Sequence, residues 1–117
     1  MKIIISTFLY TVNGIPNVTY TGTLITDKEV KILFSNNLDY INEDVASYVA
    51  SIHALGINKR EGKYYDIYCK SKKAKEWIEK KSFNQDQISD SRTSQFIKRS
   101  SLFLLDQKKD LIIYLYE

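Results

Sequence analysis

Apolar and polar residues alternate through the first part of the chain in a pattern typical of strands. Residues 2–12 are mainly β-branched and aromatic, as in a buried strand, and residues 18–26 form a second run rich in Thr, Tyr and Val. Between them an Asn-Gly pair at 13–14 is a hairpin signal, and we expect Pro16 and Asn17 to lie in the turn as well.

A third strand is predicted after a turn at Asp27 and Lys28. Its apolar residues Val30, Ile32 and Phe34 alternate with polar ones, which indicates a half-exposed strand with these three side chains on one face. The first three strands are therefore expected to form an antiparallel meander.

Helix signals begin at Asn42, which can cap a helix whose positive first turn holds Glu43 and Asp44. Gly56 can close this helix, and a polar connection is expected at 57–63. The apolar face has i, i+3, i+4 spacing and comprises Val45, Tyr48, Val49, Ile52 and Leu55. We predict an amphipathic helix packed on the sheet.

The second half of the chain alternates strand and helix patterns. Residues 64–69 predict a fourth strand, and Ser71 can cap a second helix. Residues 91–106 predict a third helix, and the near-continuous apolar run 111–116 predicts a last strand covered on both faces. Loops are expected at 82–90 and 108–110. The inward side chains of the two helices are expected to be Ala74, Trp77, Ile78, Phe96, Ile97, Phe103 and Leu104.

The predicted element order is β-β-β-α-β-α-α-β. Strand–helix–strand units imply right-handed crossovers and parallel pairing of the last strands. We therefore predict a single α/β domain over residues 1–117, a mixed five-stranded sheet with helices packed on its faces. With 117 residues and 44% hydrophobic content, the chain is large enough for one core and too small for two.

Composition narrows the classes of function. A lone cysteine excludes an intrachain disulfide and a Cys-based zinc site, and no apolar run approaches the ~18 residues needed to cross a bilayer. We expect a cytoplasmic protein. Cys69 and His53 could form a nucleophilic pair, but the commoner roles are a small buried hydrophobe and a helix residue at the rim.

Charge is distributed unevenly, although the net charge is only +3. Residues 36–58 carry three acidic and no Lys or Arg residues, whereas residues 59–81 carry nine basic and four acidic ones, a local balance of +5. The second helix holds Lys72, Lys73, Lys75 and Lys80, which can contact phosphates. A solvated, lysine-rich helix face is the alternative. The nine tyrosines could stack on bases, but core packing explains most of them.

Three segments resemble the ribonuclease-H-like family, whose element order the prediction also shares. The family's first hairpin is similar to STFLYTVNGIPNVTYTGTLIT at residues 6–26. Its first helix, with a catalytic glutamate in the first turn, resembles EDVASYVASIHAL at 43–55. Its strand-four motif, which ends in Thr-Asp-Ser and opens the second helix, resembles YYDIYCKSKKAKEWI at 64–78. The resemblance covers nearly the whole chain and implies a ribonuclease-H-like fold.

The same resemblance implies a degenerate metal site. The family holds two divalent metals with four carboxylates. Here Ser6, Thr7, Phe8 or Leu9 stands at the first aspartate, Glu43 or Asp44 matches the glutamate, and Lys70 stands at the strand-four aspartate. The family's final helix, with its fourth aspartate, has no counterpart before Glu117. One carboxylate and an ammonium cannot supply the oxygen ligands that Mg²⁺ requires.

The sequence therefore predicts a non-catalytic module without metal or other cofactor, in which Lys70 pairs with Glu43 or Asp44. The first hypothesis is nucleic-acid binding through the second helix by the lysines at 72, 73, 75 and 80. The alternative is a protein-interaction module of phage or mobile-element origin that inhibits or tethers a host protein. An active nuclease is the least favoured class.

Overall fold

The chain folds as an α/β structure built on a five-stranded mixed sheet, as far as its described residues show. The computed structural model describes residues 1–39, 42–83, 91–107 and 111–116, with side chains except those of 91–94 and 96. The strands and helices are β1 (Lys2–Val12), β2 (Ile15–Ile25), β3 (Val30–Asp39), α1 (Glu43–Glu61), β4 (Asp66–Cys69), α2 (Lys72–Lys80), α3 (Ser91–Leu105) and β5 (Tyr114–Leu115).

The sheet has the strand order β3-β2-β1-β4-β5. Strands β1, β2 and β3 form the predicted antiparallel meander, while β4 runs parallel to β1 and β5 parallel to β4. The mixed sheet and the parallel pairing of the last strands are thus confirmed. Among the described residues, no helix is both long and apolar enough to cross a membrane.

The first hairpin is tighter than predicted. Val12 pairs with Ile15, so the turn consists of two residues, Asn13 and Gly14, both with positive φ (51° and 79°). Such a turn matches the twist of the flanking strands, and an Asn-Gly pair adopts it readily. Pro16 therefore lies within β2, together with Asn17, and the expectation that both belong to the turn is wrong.

A β-bulge in β3 separates apolar side chains that were expected to share one face of that strand. Gly22 pairs with Phe34 but Thr23 pairs with Ile32, so Leu33 is the extra residue. Because a bulge shifts the alternation of faces by one residue, Phe34 is buried while Val30 and Ile32 are 72% and 65% exposed.

Helix α1 starts where it was predicted to start and ends later. The Asn42 side chain accepts a hydrogen bond from the Val45 backbone N–H at 2.9 Å, which confirms the N-cap. Gly56 lies inside the helix, and Gly62 closes it with φ 64°. The last turn is held in place by Asn58, whose side chain donates to the Tyr65 carbonyl at 3.0 Å and accepts from the Tyr65 N–H.

Helix α1 is the centre of the molecule. Every residue from 45 to 52 is buried, because α1 packs on β1 and β2 on one side and on α2 and α3 on others. The apolar positions predicted for α2 and α3 join the same core: Ala74, Ile78, Ile97 and Leu104 are buried, and Trp77 and Phe103 are partly buried against it. The Phe96 side chain, most of the predicted loop at 82–90 and the predicted turn at 108–110 lie outside the described residues.

The last strand is shorter and more exposed than predicted. Of the described residues at this end, Tyr114 and Leu115 pair with β4, and Ile113 is fully buried. Ile112, Tyr114 and Leu115 are 61%, 40% and 39% exposed, so this run is not covered on both faces by described residues.

One face of the sheet carries all three described helices. Ile3 and Ile5 of β1 are buried in the core below α1, whereas Lys2, Ser6 and Phe8, which alternate with them, are exposed. The prediction of a mixed sheet with helices packed on its faces therefore holds for one face of the described chain. We call the uncovered side, to which Lys2, Ser6 and Phe8 belong, the open face.

Candidate functional site

A pocket of about 360 Å³ lies just beyond the carboxyl end of β4, beside residues 5–7 in the middle of β1. β4 runs parallel to β1, and the carboxyl ends of parallel strands are where α/β proteins commonly bind ligands. The first turn of α1 and the cap of α2 complete the pocket. Its lining residues are Ile5, Ser6, Thr7, Glu43, Asp44, Ser47, Lys70, Ser71 and Tyr116.

The pocket brings together positions that the sequence singled out separately. Glu43 and Asp44 come from α1, Lys70 from the residue after β4, and Ser6 and Thr7 from β1. Phe8 and Leu9, the other two candidates for the first aspartate position, are exposed and do not line it. These residues are far apart in the sequence. They come together because β1 pairs in parallel with β4.

Hydroxyl groups hold both carboxylates of the pocket. Thr7 Oγ1 donates to Glu43 Oε2 at 2.7 Å, and Ser71 Oγ donates to Asp44 Oδ1 at 2.7 Å. Ser71 Oγ also accepts from the Ala74 N–H at 3.0 Å as the N-cap of α2. One side chain thus starts α2 and fixes the orientation of Asp44.

Lys70 does not make the predicted ion pair with Glu43 or Asp44. The two ion pairs found in the described part of the chain join Lys75 to Glu79 and Lys80 to Glu76. Lys70 is exposed, and its ammonium lies 5.5 Å from the centroid of the Tyr116 ring. The carboxylates already accept hydroxyl donors, and the ring face attracts the ammonium while leaving it hydrated.

Tyr116 is one of the pocket residues that sequence reasoning missed, together with Ile5 and Ser47. Its hydroxyl donates to the Ile5 carbonyl at 2.5 Å, and its backbone N–H donates to the Cys69 carbonyl at 3.1 Å. It therefore ties the end of the chain to β1 and β4 beside the pocket. Its only sequence signal is its position two residues after Tyr114, on the same face of the last strand.

The pocket does not have the ligands of a two-metal site. No group of three or more His, Cys, Asp or Glu side chains is arranged to hold a metal ion among residues that the structure describes. The polar lining of two carboxylates, an ammonium and several hydroxyls can accept and donate hydrogen bonds to a polar or charged group.

Cys69 and His53 do not form a catalytic pair. Cys69 is fully buried, and burial raises the pKa of its thiol, which keeps it protonated. The His53 ring stacks on Phe34 of β3 at a centroid distance of 4.0 Å, on the far side of β1 and β2 from β4. Burial, and secondarily the charge of Arg60, lowers the pKa of His53.

The four predicted phosphate-binding lysines of α2 divide into two kinds. Lys72 and Lys73 are exposed at the start of the helix, and neither is in an ion pair with a described residue. Lys80 is 3.5 Å from Glu76 in a well-exposed pair. Lys75 instead binds Glu79 at 2.6 Å and the Ile113 carbonyl at 2.5 Å, so its ammonium is engaged inside the fold.

Glu79 completes the link between α2 and the last strand. Its Oε2 accepts from the Ile113 N–H at 3.0 Å as well as from Lys75. Burial alone would raise the pKa of this carboxyl, but the hydrogen bonds from Lys75 and Ile113 and the charge of Lys75 lower it overall. The Lys75–Glu79 pair therefore holds α2 against the segment that leads into β5.

Comparison with known proteins adds no family assignment. No protein-family model matches the sequence, and no curated protein matches it.

Proposed function

We propose that this chain is a degenerate ribonuclease-H-like module that binds nucleic acid without cleaving it. The observation that carries the proposal is the pocket, which gathers Glu43, Asp44, Lys70 and Thr7 beyond the end of β4 and beside the middle of β1. These are the positions that the resemblance matched to the family's metal ligands. The order of elements along the chain, β-β-β-α-β-α-α-β, supports the same assignment.

Loss of cleavage follows from the residues at those positions. A hydroxyl stands at the strand-one position, and a lysine at the strand-four position, so the pocket has two carboxylates from one helix. Two-metal phosphoryl chemistry needs several hard oxygen ligands around both ions. An ammonium at the pocket repels divalent cations and attracts phosphates.

Nucleic-acid binding is supported by the lysines beside the pocket. Lys70, Lys72 and Lys73 are exposed and nearly consecutive, and they surround the start of α2. A helix start carries partial positive charge, which adds to the attraction for a phosphate. Lys80 can contribute from the other end of α2, whereas Lys75 is already held by Glu79 and Ile113.

The test is binding of fluorescent single-stranded, duplex and RNA–DNA hybrid oligonucleotides at several salt concentrations. For about three to four neutralised phosphates, the slope of log K against log salt should be roughly −2 to −4. The variant Lys72→Gln/Lys73→Gln/Lys80→Gln should lose most of this slope, and it leaves Lys75 intact. The matched control, Lys28→Gln/Lys31→Gln/Lys63→Gln, removes the same charge from exposed lysines outside α2 and should bind like the wild type.

A protein-interaction module is the second candidate, and the sheet edge favours it. β3 pairs only with β2 in the described sheet, so its outer edge is unpaired and carries exposed Val30 and Ile32. Such an edge can pair with a strand of another protein. If the wild type binds none of the oligonucleotides at low salt, the nucleic-acid proposal fails, and inhibition or tethering of a host protein takes its place.

A further inference from the structure

Four aromatic rings lie on the side of the sheet that the described helices leave uncovered, and a fifth, that of Tyr116, lies next to them at the pocket. Tyr68 of β4 stacks on Tyr114 of β5 with a centroid distance of 5.1 Å and an interplanar angle of 25°. Phe8 and Tyr10 of β1 stack at 5.8 Å and 28°. Tyr116 follows Tyr114 by two residues. We call Phe8, Tyr10, Tyr68, Tyr114 and Tyr116 the aromatic stripe.

Two lysines are interleaved with these rings. The Lys2 ammonium lies 5.5 Å from the centroid of Tyr68, and the Lys70 ammonium lies 5.5 Å from that of Tyr116. Both lysines are exposed, so each ring carries a hydrated positive charge beside it. The two carboxylates that strand alternation assigns to this face, Asp66 and Asp39, stand at opposite ends of it.

Strand register places the rings in a row. Ile4 pairs with Tyr68, so Lys70 lies level with Ser6, and Phe8 follows two residues further along β1. The separation from Ile4 to Phe8 is about 13 Å at the usual rise of a strand. The row therefore runs from Lys2 and Tyr68, past Lys70, to Phe8, with a cation between two aromatic platforms.

We propose that the open face binds single-stranded nucleic acid, with bases stacked on the aromatic stripe and phosphates on Lys2 and Lys70. This rests on the proposed function, but it names a different surface and a particular strand type. Unpaired bases offer π-faces to aromatic side chains, whereas the bases of a duplex are stacked on each other. A sheet face with exposed or partly exposed rings and interleaved cations fits unpaired strands and not a duplex.

The rest of the open face favours a polar polymer over an apolar protein surface. Thr19, Thr21 and Thr23 of β2 present hydroxyls beside the stripe, and Ser6 adds another from β1. These groups can donate to or accept from sugars, phosphates and base edges. Thr19 Oγ1 already donates to Asn37, but a mainly apolar partner would give the hydroxyls of Ser6, Thr21 and Thr23 no hydrogen-bond partner of its own.

The first experiment compares oligothymidylate with an abasic phosphodiester strand of the same length, on the wild-type protein. Both carry the same phosphates, so any difference reports stacking. We expect the abasic strand to bind about 10-fold more weakly or worse, since each stacked base contributes substantially to affinity. Equal binding of the two strands, or tighter binding of a duplex than of oligothymidylate, overturns the inference.

The second experiment removes rings while keeping apolar side chains. Phe8→Leu/Tyr114→Leu changes two exposed residues and should weaken oligothymidylate binding by about 10-fold or more while leaving the unfolding midpoint close to that of the wild type. Ile32→Ala is the control, because Ile32 is as exposed as Phe8 (65% against 67%) and lies on β3 at the far edge of the open face. It should bind like the wild type.

The outcomes separate this inference from the proposed function. Binding that depends on Lys72 and Lys73 but not on the rings overturns the inference and leaves nucleic-acid binding in place. Absence of binding to every oligonucleotide overturns both. If the ring variant unfolds, Lys2→Gln/Lys70→Gln still tests the surface: it should reduce the salt slope for oligothymidylate by about 1.4, and an unchanged slope contradicts the inference.

Discussion

Gly22 leaves the space that the Phe34 ring occupies between the sheet and α1. A Cβ atom at this position would clash with the Phe34 ring, which in turn stacks on His53 and packs edge-on against Tyr20. Because the ring is held on both sides, it cannot move away. We expect Gly22→Ala to lower the free energy of unfolding by about 1–3 kcal/mol, as overpacking does, measured by urea denaturation.

Gly56 is the matched control, since the same substitution there should have the opposite sign. It lies inside α1, and a Cβ atom would meet only Phe103 at 3.9 Å, an ordinary contact. Replacing a helical glycine with alanine removes a conformational cost of about 0.5–1 kcal/mol. If Gly22→Ala were as stable as Gly56→Ala, the clash with Phe34 would not be real.

His53 should make stability depend on pH near neutrality. Burial, followed by the charge of Arg60, lowers its pKa in the folded protein, whereas the unfolded chain keeps a value of about 6.5. The unfolded state therefore binds more protons as pH falls through this range, and stability falls with it until the lower pKa of the folded state is passed. Between about pH 7 and 5, His53→Phe, which keeps a ring on Phe34, should lose less stability than the wild type. The free energy of unfolding of both proteins is measured by urea denaturation at each pH. If it changed equally with pH in the wild type and in His53→Phe, this role of His53 would be contradicted.

At the scale of elements, α2 is fixed to the last strand by one ion pair that also binds backbone. Lys75 donates a hydrogen bond to the Ile113 carbonyl, and Glu79 accepts one from the Ile113 N–H. The two side chains are only 32% and 29% exposed. Lys75→Gln leaves Glu79 without its counter-ion and Ile113 without a donor. We expect a loss of about 1–2 kcal/mol in chemical denaturation, in line with hydrogen bonds to charged groups.

Lys80→Gln is the comparison in the same helix. Its i, i+4 pair with Glu76 is 70% and 61% exposed and makes no backbone contact among the described residues. An exposed pair of this kind contributes about 0–1 kcal/mol, so the change should be close to neutral. If both substitutions lowered the free energy of unfolding by a similar amount, the contact of Lys75 with Ile113 would contribute nothing to stability.

Elements whose signals are local could be predicted from the sequence. The Asn-Gly turn, the Asn42 cap and the Ser71 cap each depend on a side chain and the backbone within a few residues, and all three are found. The predicted end of α1 at Gly56 was wrong, because Asn58 in the last turn binds the backbone of Tyr65 through contacts that form only in the folded chain. The bulge at Leu33 was missed for a similar reason, since it depends on how β3 pairs with β2.

At the scale of the whole molecule, the position of the candidate site could be inferred but its contacts could not. Parallel pairing of β1 with β4 brings Thr7, Glu43 and Lys70 to one pocket, as the resemblance implied for these positions. The partner of Lys70 could not be inferred, because Tyr116 reaches the pocket only through the pairing of β5 with β4. The open face was also missed, because which side of a sheet the helices cover is a property of the assembled chain.

The pocket leads to a prediction about the whole protein: it should not cleave an RNA–DNA hybrid with Mg²⁺ or Mn²⁺. Its two carboxylates come from adjacent residues of α1, each already accepts a hydroxyl donor, and Lys70 stands at the remaining side. Lys70→Asp alone should not create activity, because Thr7 still occupies the strand-one position and too few oxygen ligands remain for two ions.

The measurement is product formation from a labelled hybrid over a range of metal concentrations. Glu43→Gln/Asp44→Asn is the control that identifies contaminating nuclease, since it removes both carboxylates that described residues contribute to the pocket. Cleavage by both proteins would come from a contaminant. Cleavage by the wild type that disappears in this variant would show that the pocket supports metal-dependent hydrolysis with fewer carboxylates than two ions normally require, and the non-catalytic assignment would be wrong.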